Sequence, residues 1–137
     1  WVSANGVDLQ GKLQDSDNFG RPLSAIEIGS NIEQRGSIMT VKPLGILHPG
    51  PSHTRQSDWK VVVISTHDPL ADGAESLQEF EKKHPDTIAS LCKWLGFVKA
   101  SHHGLSSKGF NNNAKDRGEA DQIILDAHTA WLNRDGQ

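Results

Sequence analysis

The stretch that most limits how this chain can fold is Trp59–Thr66, which reads Trp-Lys-Val-Val-Val-Ile-Ser-Thr. An uninterrupted run of β-branched residues is typical of a strand buried on both faces, because a half-exposed strand alternates apolar with polar side chains. A strand of this kind needs other elements packed above and below it. The sequence therefore predicts an α/β fold with a layered β-sheet flanked by helices.

The 137 residues correspond to a single domain or to part of one. We expect a loop-rich N-terminal segment over residues 1–36, in which turn-forming residues are frequent and Ala25–Ile28 is the best candidate for a strand. The α/β part is expected to cover residues 37–133.

Within the α/β part, Ser37–Val41 is expected to form a strand that Pro43 either ends or places at an edge of the sheet. A first helix is predicted to begin at Asp72, and a second at Pro85 with a stop at Gly96. The second helix has an apolar face made of residues at helical spacing, namely Ile88, Leu91, Cys92 and Leu95. Two further strands are expected at Phe97-Val98 and at Ala120–Leu125.

The charge balance excludes some partners. A net charge of -3 gives no electrostatic case for a basic nucleic-acid-binding surface. We expect no membrane association, because the sequence contains neither an 18-residue apolar run nor a signal-peptide pattern. The single cysteine, Cys92, cannot form an internal disulfide, so the fold is compatible with a reducing compartment. Localisation and oligomeric state stay open.

Polar side chains that can bind metals follow three of the predicted strands. These are His67 and Asp68, then His102 and His103, and then Asp126 and His128. Imidazole and carboxylate groups are common zinc ligands, and residues two apart share one face of a strand. We therefore predict a metal site where the three strand ends meet, with His48 and His53 as further candidates from a proline-rich loop.

Each of these residues also has an ordinary interpretation. The paired histidines, His102 and His103, can be loop residues without a ligand, because short motifs often occur by chance. Asp68 can simply start a turn before Pro69, as Asp-Pro does readily.

One set of motifs resembles a known family. Lys99–Gly104, followed by Ser106-Ser107, is similar to the Leu-Lys-x-x-His-His-Gly-Ser motif of metallo-β-lactamase-fold hydrolases of the competence (DNA-uptake) type. Val61–Asp68 resembles their strand ending in Thr-Gly-Asp, with His67 in place of the glycine. Leu47–Pro49, with Ser57 before Val61, resembles their Leu-x-Pro loop and strand start. The resemblance covers about residues 37–133.

The resemblance implies half of an αββα fold, because the family's His-x-His-x-Asp-His motif does not occur in this chain. It implies one or two zinc ions, or manganese, which activate a water molecule to attack a phosphodiester or another small substrate. Asp68 and His103 would then be catalytic, and Asp68 would bridge or bind a metal. His102 or His103 would complete the metal shell, and Asp126 or His128 would orient a ligand.

Two alternatives stay open. The first is a nuclease of the ββα-metal type, with His103 as general base and an asparagine from residues 111–113 as its orienting group. The second is a binding or regulatory domain, or an inert fragment, without catalysis. Neither a glycine-rich phosphate loop nor a Gly-x-Ser-x-Gly nucleophile motif occurs in the sequence.

Overall fold

The computed structural model of the chain describes residues 23–47, 59–103 and 114–134, and it gives the backbone alone for residues 97–103, 130–131 and 133–134. The described part contains a sheet with the strand order β1-β3-β2-β4. The strands are β1 Ser24–Glu27, β2 Val41–Leu47, β3 Lys60–Ser65 and β4 Ala114–Lys115. β1 runs parallel to β3, whereas β2 is antiparallel to both β3 and β4.

Helices cover both faces of this sheet. They are α1 Leu77–Lys83, α2 Thr87–His103 and α3 Arg117–Arg134, with a short 3-10 turn at Pro69–Ala71. The prediction of a layered α/β arrangement with flanking helices is thereby confirmed. None of the described helices combines the length and the apolar character that crossing a membrane requires.

Strand β3 is the centre of the packing, as its sequence predicts. Val62 and Ile64 point toward the layer that holds α1 and α2, and Val61 and Val63 point toward α3. All four are nearly inaccessible to solvent. Full burial of an aliphatic side chain contributes about 1.5–3 kcal/mol to stability. Because its side chains enter both layers, β3 joins two apolar cores.

The strand expected at Ala25–Ile28 is present as β1, shifted by one residue. It pairs with β3 from Ser24 opposite Lys60 to Glu27 opposite Val63. The central sheet therefore includes residues from the loop-rich segment. The division of the chain at residue 37 stays a prediction.

The predicted strand Ser37–Val41 is wrong in its bounds, because β2 begins at Val41 and continues through Pro43. The register shifts between Pro43 and Gly45, which leaves Leu44 as the extra residue of a bulge. On its other side β2 pairs with β4 only at Ile46 and Leu47. Proline is tolerated here because the second partner strand does not extend to its position.

The first helix does not begin at Asp72. Its N-cap is Ser76, whose hydroxyl accepts a hydrogen bond from the Glu79 amide at 3.2 Å. The Glu79 carboxylate accepts one from the Glu75 amide at 3.0 Å, just before the N-cap, so it adds a second bond at this helix start. Gly73, with φ of 65°, lies in the left-handed region, so a helix cannot run through it.

The second helix does not stop at Gly96, and Phe97-Val98 is not a strand, because α2 continues to His103. The predicted apolar face is confirmed: Cys92 and Leu95 are buried, and Ile88 and Leu91 are partly buried against the same core. Burial raises the pKa of the Cys92 thiol, as expected for a core residue. An internal glycine costs about 0.5–1 kcal/mol, which the packing of this face outweighs.

The predicted strand Ala120–Leu125 is also wrong, because these residues belong to α3. Ala120, Ile123 and Ala127 are buried on one side of the helix at spacings of three and four residues. A short apolar run such as Gln-Ile-Ile-Leu fits both the two-residue repeat of a strand and the 3.6-residue repeat of a helix. Here the buried residues continue at helical spacing, so the segment is a helix.

Candidate functional site

The carboxyl ends of β1 and β3 meet at one edge of the sheet, because the two strands are parallel. Glu27 is the last residue of β1, and Asp68 follows the end of β3. Both carboxylates face the backbone of residues 29–31, which follow β1 and which we call the anchored segment. This edge of the sheet holds the only buried charged side chain of the described residues, Asp68.

Asp68 is only 4% exposed, and donors surround its two oxygens. Oδ2 accepts hydrogen bonds from the Ser30 amide at 2.7 Å and the Asn31 amide at 2.9 Å. Oδ1 accepts one from the Leu70 amide at 2.8 Å, which caps the 3-10 turn. The Ser30 hydroxyl lies 3.1 Å from Oδ1 and 3.2 Å from Oδ2. The carboxylate thus joins the loop after β1 to the turn after β3.

These contacts also set the protonation of Asp68. Burial by itself raises the pKa of the carboxyl group. The hydrogen bonds from the Leu70 and Asn31 amides and from Ser30 outweigh it, so the pKa lies below the ordinary value of 3.8. Asp68 is therefore held in its charged form.

Glu27 holds the same segment from the other side. Its Oε1 accepts hydrogen bonds from the Gly29 amide at 2.9 Å and from the Ser65 amide at 3.0 Å. A Cβ at position 29 would lie 2.5 Å from Asp68 Oδ2 and 2.6 Å from Glu27 Oε1. Because real Cβ atoms essentially never lie this close to another atom, a larger residue at position 29 would force these carboxylates to move.

A second charged group links β2 to α3. The Glu75 carboxylate lies 3.1 Å from Lys42 Nζ and 2.8 Å from Arg117 Nη1. Lys42 also donates to the Ala71 carbonyl at 2.8 Å. The hydrogen bond and the positive charge of Lys42, followed by those of Arg117, lower the pKa of Glu75. Lys42 and Arg117 are both paired with Glu75, so we interpret this group as a surface link between β2 and α3.

A surface groove of about 450 Å³ lies beside the end of β1 and the start of α2. Its lining contains two carboxylates and neither lysine nor arginine: Glu27, Ile28, Pro85, Asp86, Thr87, Ser90, Leu91 and Trp94. Charge repulsion disfavours an anionic ligand in such a groove.

The structure does not bring the predicted ligands to three strand ends. Of the six, only His67 and Asp68 follow a strand, and His67 is exposed. His102 and His103 lie in the last turn of α2, and Asp126 and His128 lie within α3. Residues two apart do not share a helix face, so the argument for pairing Asp126 with His128 is wrong.

The described side chains contain no group of three histidine, cysteine, aspartate or glutamate residues that could hold a metal ion. Asp126 is exposed and accepts a hydrogen bond from Gln122 at 2.8 Å. Several predicted groups lie outside the described residues, namely His48, His53, Ser57, Ser106, Ser107 and Asn111–Asn113. The ligand and catalytic roles assigned from the sequence stay predictions.

Sequence reasoning missed the partners that Asp68 has in the structure. Residues 29–31 fall within the segment that the sequence predicts to be loop-rich, and the sequence predicts no role for Glu27. The local signal was limited to turn formation, which glycine, serine and asparagine favour. The sequence did not indicate which carboxylate would accept hydrogen bonds from their amides.

Comparison with known proteins identifies the family. The model of the inorganic pyrophosphatase family matches residues 12–132, which is most of the chain. The chain belongs to this family.

Individual relatives agree. The inorganic pyrophosphatase of Eremothecium gossypii is 32% identical over 111 residues, which cover 80% of this chain and 38% of that protein. The mitochondrial inorganic pyrophosphatase of Saccharomyces cerevisiae is 32% identical over 113 residues, covering 82% of this chain and 36% of the relative. The chain thus spans well under half the length of these two relatives.

A solved structure shows the same fold. It is the N-terminal-domain-truncated vacuolar soluble pyrophosphatase of Trypanosoma cruzi in complex with PPi, with a TM-score of 0.76 and 29% sequence identity. The match covers 98% of this chain and 49% of that one.

These findings correct the predicted function. The resemblance to metallo-β-lactamase-fold hydrolases is wrong, and so is the phosphodiester reading that followed from it. The His-His-Gly motif misled because its histidines are helical here, whereas the resemblance needs them after a strand. The ββα-metal nuclease and the non-catalytic domain are not favoured either. Nothing in the family match points to zinc.

Proposed function

We propose that this chain acts in the hydrolysis of inorganic pyrophosphate. The observation that carries the proposal is the family match over residues 12–132. The similar fold of a T. cruzi pyrophosphatase that was solved with PPi supports it. The match covers 38% of the E. gossypii relative, so the activity of that relative as a whole comes to this chain only as a proposal.

The reaction is a phosphoryl transfer to water. The water oxygen forms a bond to one phosphorus, the bridging P–O–P bond breaks, and the bridging oxygen leaves with the second phosphate. The two protons of the water are shared between the two phosphate products. Such a reaction replaces the attack on a phosphodiester predicted from the sequence.

Magnesium is the metal we expect with this substrate. Mg²⁺ prefers hard oxygen ligands and is commonly bound by one or two carboxylates together with the phosphates of a substrate. Zinc is a weaker choice, because it favours nitrogen and sulfur ligands. The described residues do not fit such an ion, since they contain no suitable cluster and the donors around Asp68 already use its oxygens. We therefore assign no step of the reaction to a metal held by them.

The test is phosphate release by the protein expressed from its complete coding sequence. Phosphate is measured from pyrophosphate with Mg²⁺, with Zn²⁺ and with a chelator, and p-nitrophenol is measured from bis(p-nitrophenyl) phosphate. We expect hydrolysis of pyrophosphate with Mg²⁺ and none of the diester. Activity toward the diester alone, or no phosphate release by the folded protein, would overturn the proposal.

A matched variant excludes pyrophosphatase carried over from the expression host. Ile64→Asp places an unpaired charge in a fully buried position of β3, which unfolds this part of the chain. Activity that belongs to this protein is lost in the variant, whereas host activity persists in an identical preparation.

A further inference from the structure

Two carboxylates, one at the end of β1 and one in the turn after β3, converge on one short piece of backbone. Asp68 and Glu27 together accept hydrogen bonds from five backbone amides, those of Gly29, Ser30, Asn31, Ser65 and Leu70. One side-chain hydroxyl, that of Ser30, adds to them. The amides come from both the loop after β1 and the end of β3, so the contacts tie two chain segments together.

This donor set is the opposite of a metal site. A ligand oxygen must direct a lone pair at the cation, whereas both oxygens of Asp68 and Oε1 of Glu27 already accept hydrogen bonds from N–H groups. A cation placed among the same N–H groups would be repelled. The family is one for which a divalent metal is expected, and this sheet edge does not fit one.

Steric packing supports the same conclusion. One oxygen of Asp68 lies 2.5 Å, and one of Glu27 2.6 Å, from the position that a Cβ on Gly29 would occupy. Two like charges this close are unfavourable unless donors compensate them. The amides that converge here supply this compensation.

We propose that Glu27 and Asp68 form a carboxylate anchor that fixes the anchored segment, residues 29–31, to the end of β3 and that binds no metal ion. The anchor determines the course on which the chain leaves β1. Its bonds are directional and charge-assisted, so a neutral side chain of the same shape cannot replace it. The proposal does not depend on the pyrophosphatase activity.

The test uses amide NMR spectra of the folded chain titrated with Mn²⁺, a paramagnetic stand-in for Mg²⁺. We expect the Ser30, Asn31 and Leu70 signals to keep their intensity relative to the rest of the spectrum. Selective broadening of these signals that Mg²⁺ competes away would overturn the proposal. The NMR titration needs no substrate, so its result does not depend on whether the hydrolysis assay succeeds.

Hydrogen exchange tests the anchor itself. In Asp68→Asn, without metal, we expect the Ser30 and Asn31 amides to exchange about tenfold faster or more than in the wild type. Asp126→Asn removes the same charge at an exposed helical position and serves as the matched control. Equal exchange in Asp68→Asn and the control would contradict the anchor. Should Asp68→Asn fail to fold, the Mn²⁺ titration of the wild type decides alone.

Discussion

Strand β3 and the anchored segment lie side by side in the fold, yet different forces hold them. β3 is fixed by apolar side chains that are buried on both faces of the sheet, such as Val62 and Ile64. The anchored segment has exposed residues, Ser30 and Asn31, and is fixed by hydrogen bonds to two carboxylates.

The difference predicts how each region responds to change. Burial is non-directional, so β3 should tolerate a smaller side chain of the same kind and suffer in proportion to the volume lost. Hydrogen bonds are directional and charge-dependent, so the anchored segment should respond to the loss of a charge or to one added methyl group.

The largest effect is expected in β3. Ile64→Ala should lower the free energy of unfolding by about 2–5 kcal/mol, because it leaves a cavity in a fully buried position. Ile64→Val should cost only about 0.5–1.5 kcal/mol. Urea unfolding measures the stability of both variants. Equal losses of stability in Ile64→Ala and Ile64→Val would contradict the claim that the loss in β3 scales with the volume removed.

A smaller loss is expected from a methyl group in the anchored segment. Gly29→Ala forces a Cβ to within 2.6 Å of both carboxylates and should destabilise the fold by about 1–3 kcal/mol. Gly118→Ala is the control, because no atom lies within 4 Å of a Cβ there and the residue is in α3. It should stabilise by about 0.4–1 kcal/mol. Changes of the same sign in the two variants would contradict the steric argument.

The pH dependence of stability sharpens the comparison further. Since the pKa of Asp68 is lowered by folding, its charged form stabilises the native state fully above the ordinary value of 3.8, and this stabilisation is lost as the pH falls through the lowered pKa. Urea midpoints of the wild type and Asp68→Asn, measured from about pH 7 downward, should therefore converge in acid. If the difference between the two urea midpoints were the same at every pH, the charge of Asp68 would not contribute to stability.

The smallest effect is expected at the surface link. Glu75→Gln removes the ion pairs with Lys42 and Arg117, but Glu75 is 63% exposed and the pairs are screened by solvent. The melting temperature should fall slightly at low salt and be unchanged at high salt. Glu33→Gln, at an exposed loop position, is the control. A loss that persists in high salt would show that this link is more than a surface pair.

Prediction from sequence succeeded where the cause was local. The continuous apolar run of β3 and the helical face around Cys92 follow directly from hydrophobic periodicity. Hydrophobic periodicity gave the wrong element at Phe97-Val98 and Ala120–Leu125. These short apolar runs fit the repeat of a strand as well as that of a helix, and the residues that flank them determine which one forms. With two strands misassigned, the predicted convergence of metal ligands had no basis.

The anchor lies beyond this kind of reasoning for a physical reason. Ser30 and Asp68 are 38 positions apart, and only the parallel pairing of β1 with β3 brings them together. Asp-Pro signals a turn from sequence alone, but the donors to its carboxylate depend on topology. The family was also misassigned, because a motif of three residues carried most of the resemblance.

The strand order has a consequence for how the molecule assembles. β1 pairs only with β3 among the described strands, and β2, which lies between them in the sequence, occupies the opposite side of β3. During synthesis β1 leaves the ribosome before its partner exists, and its pairing must wait until β3 has been made. Pairing between distant segments is slow, and unpaired strands attract other chains. Among the described strands, the first to be made therefore stays unpaired until the third has been synthesised.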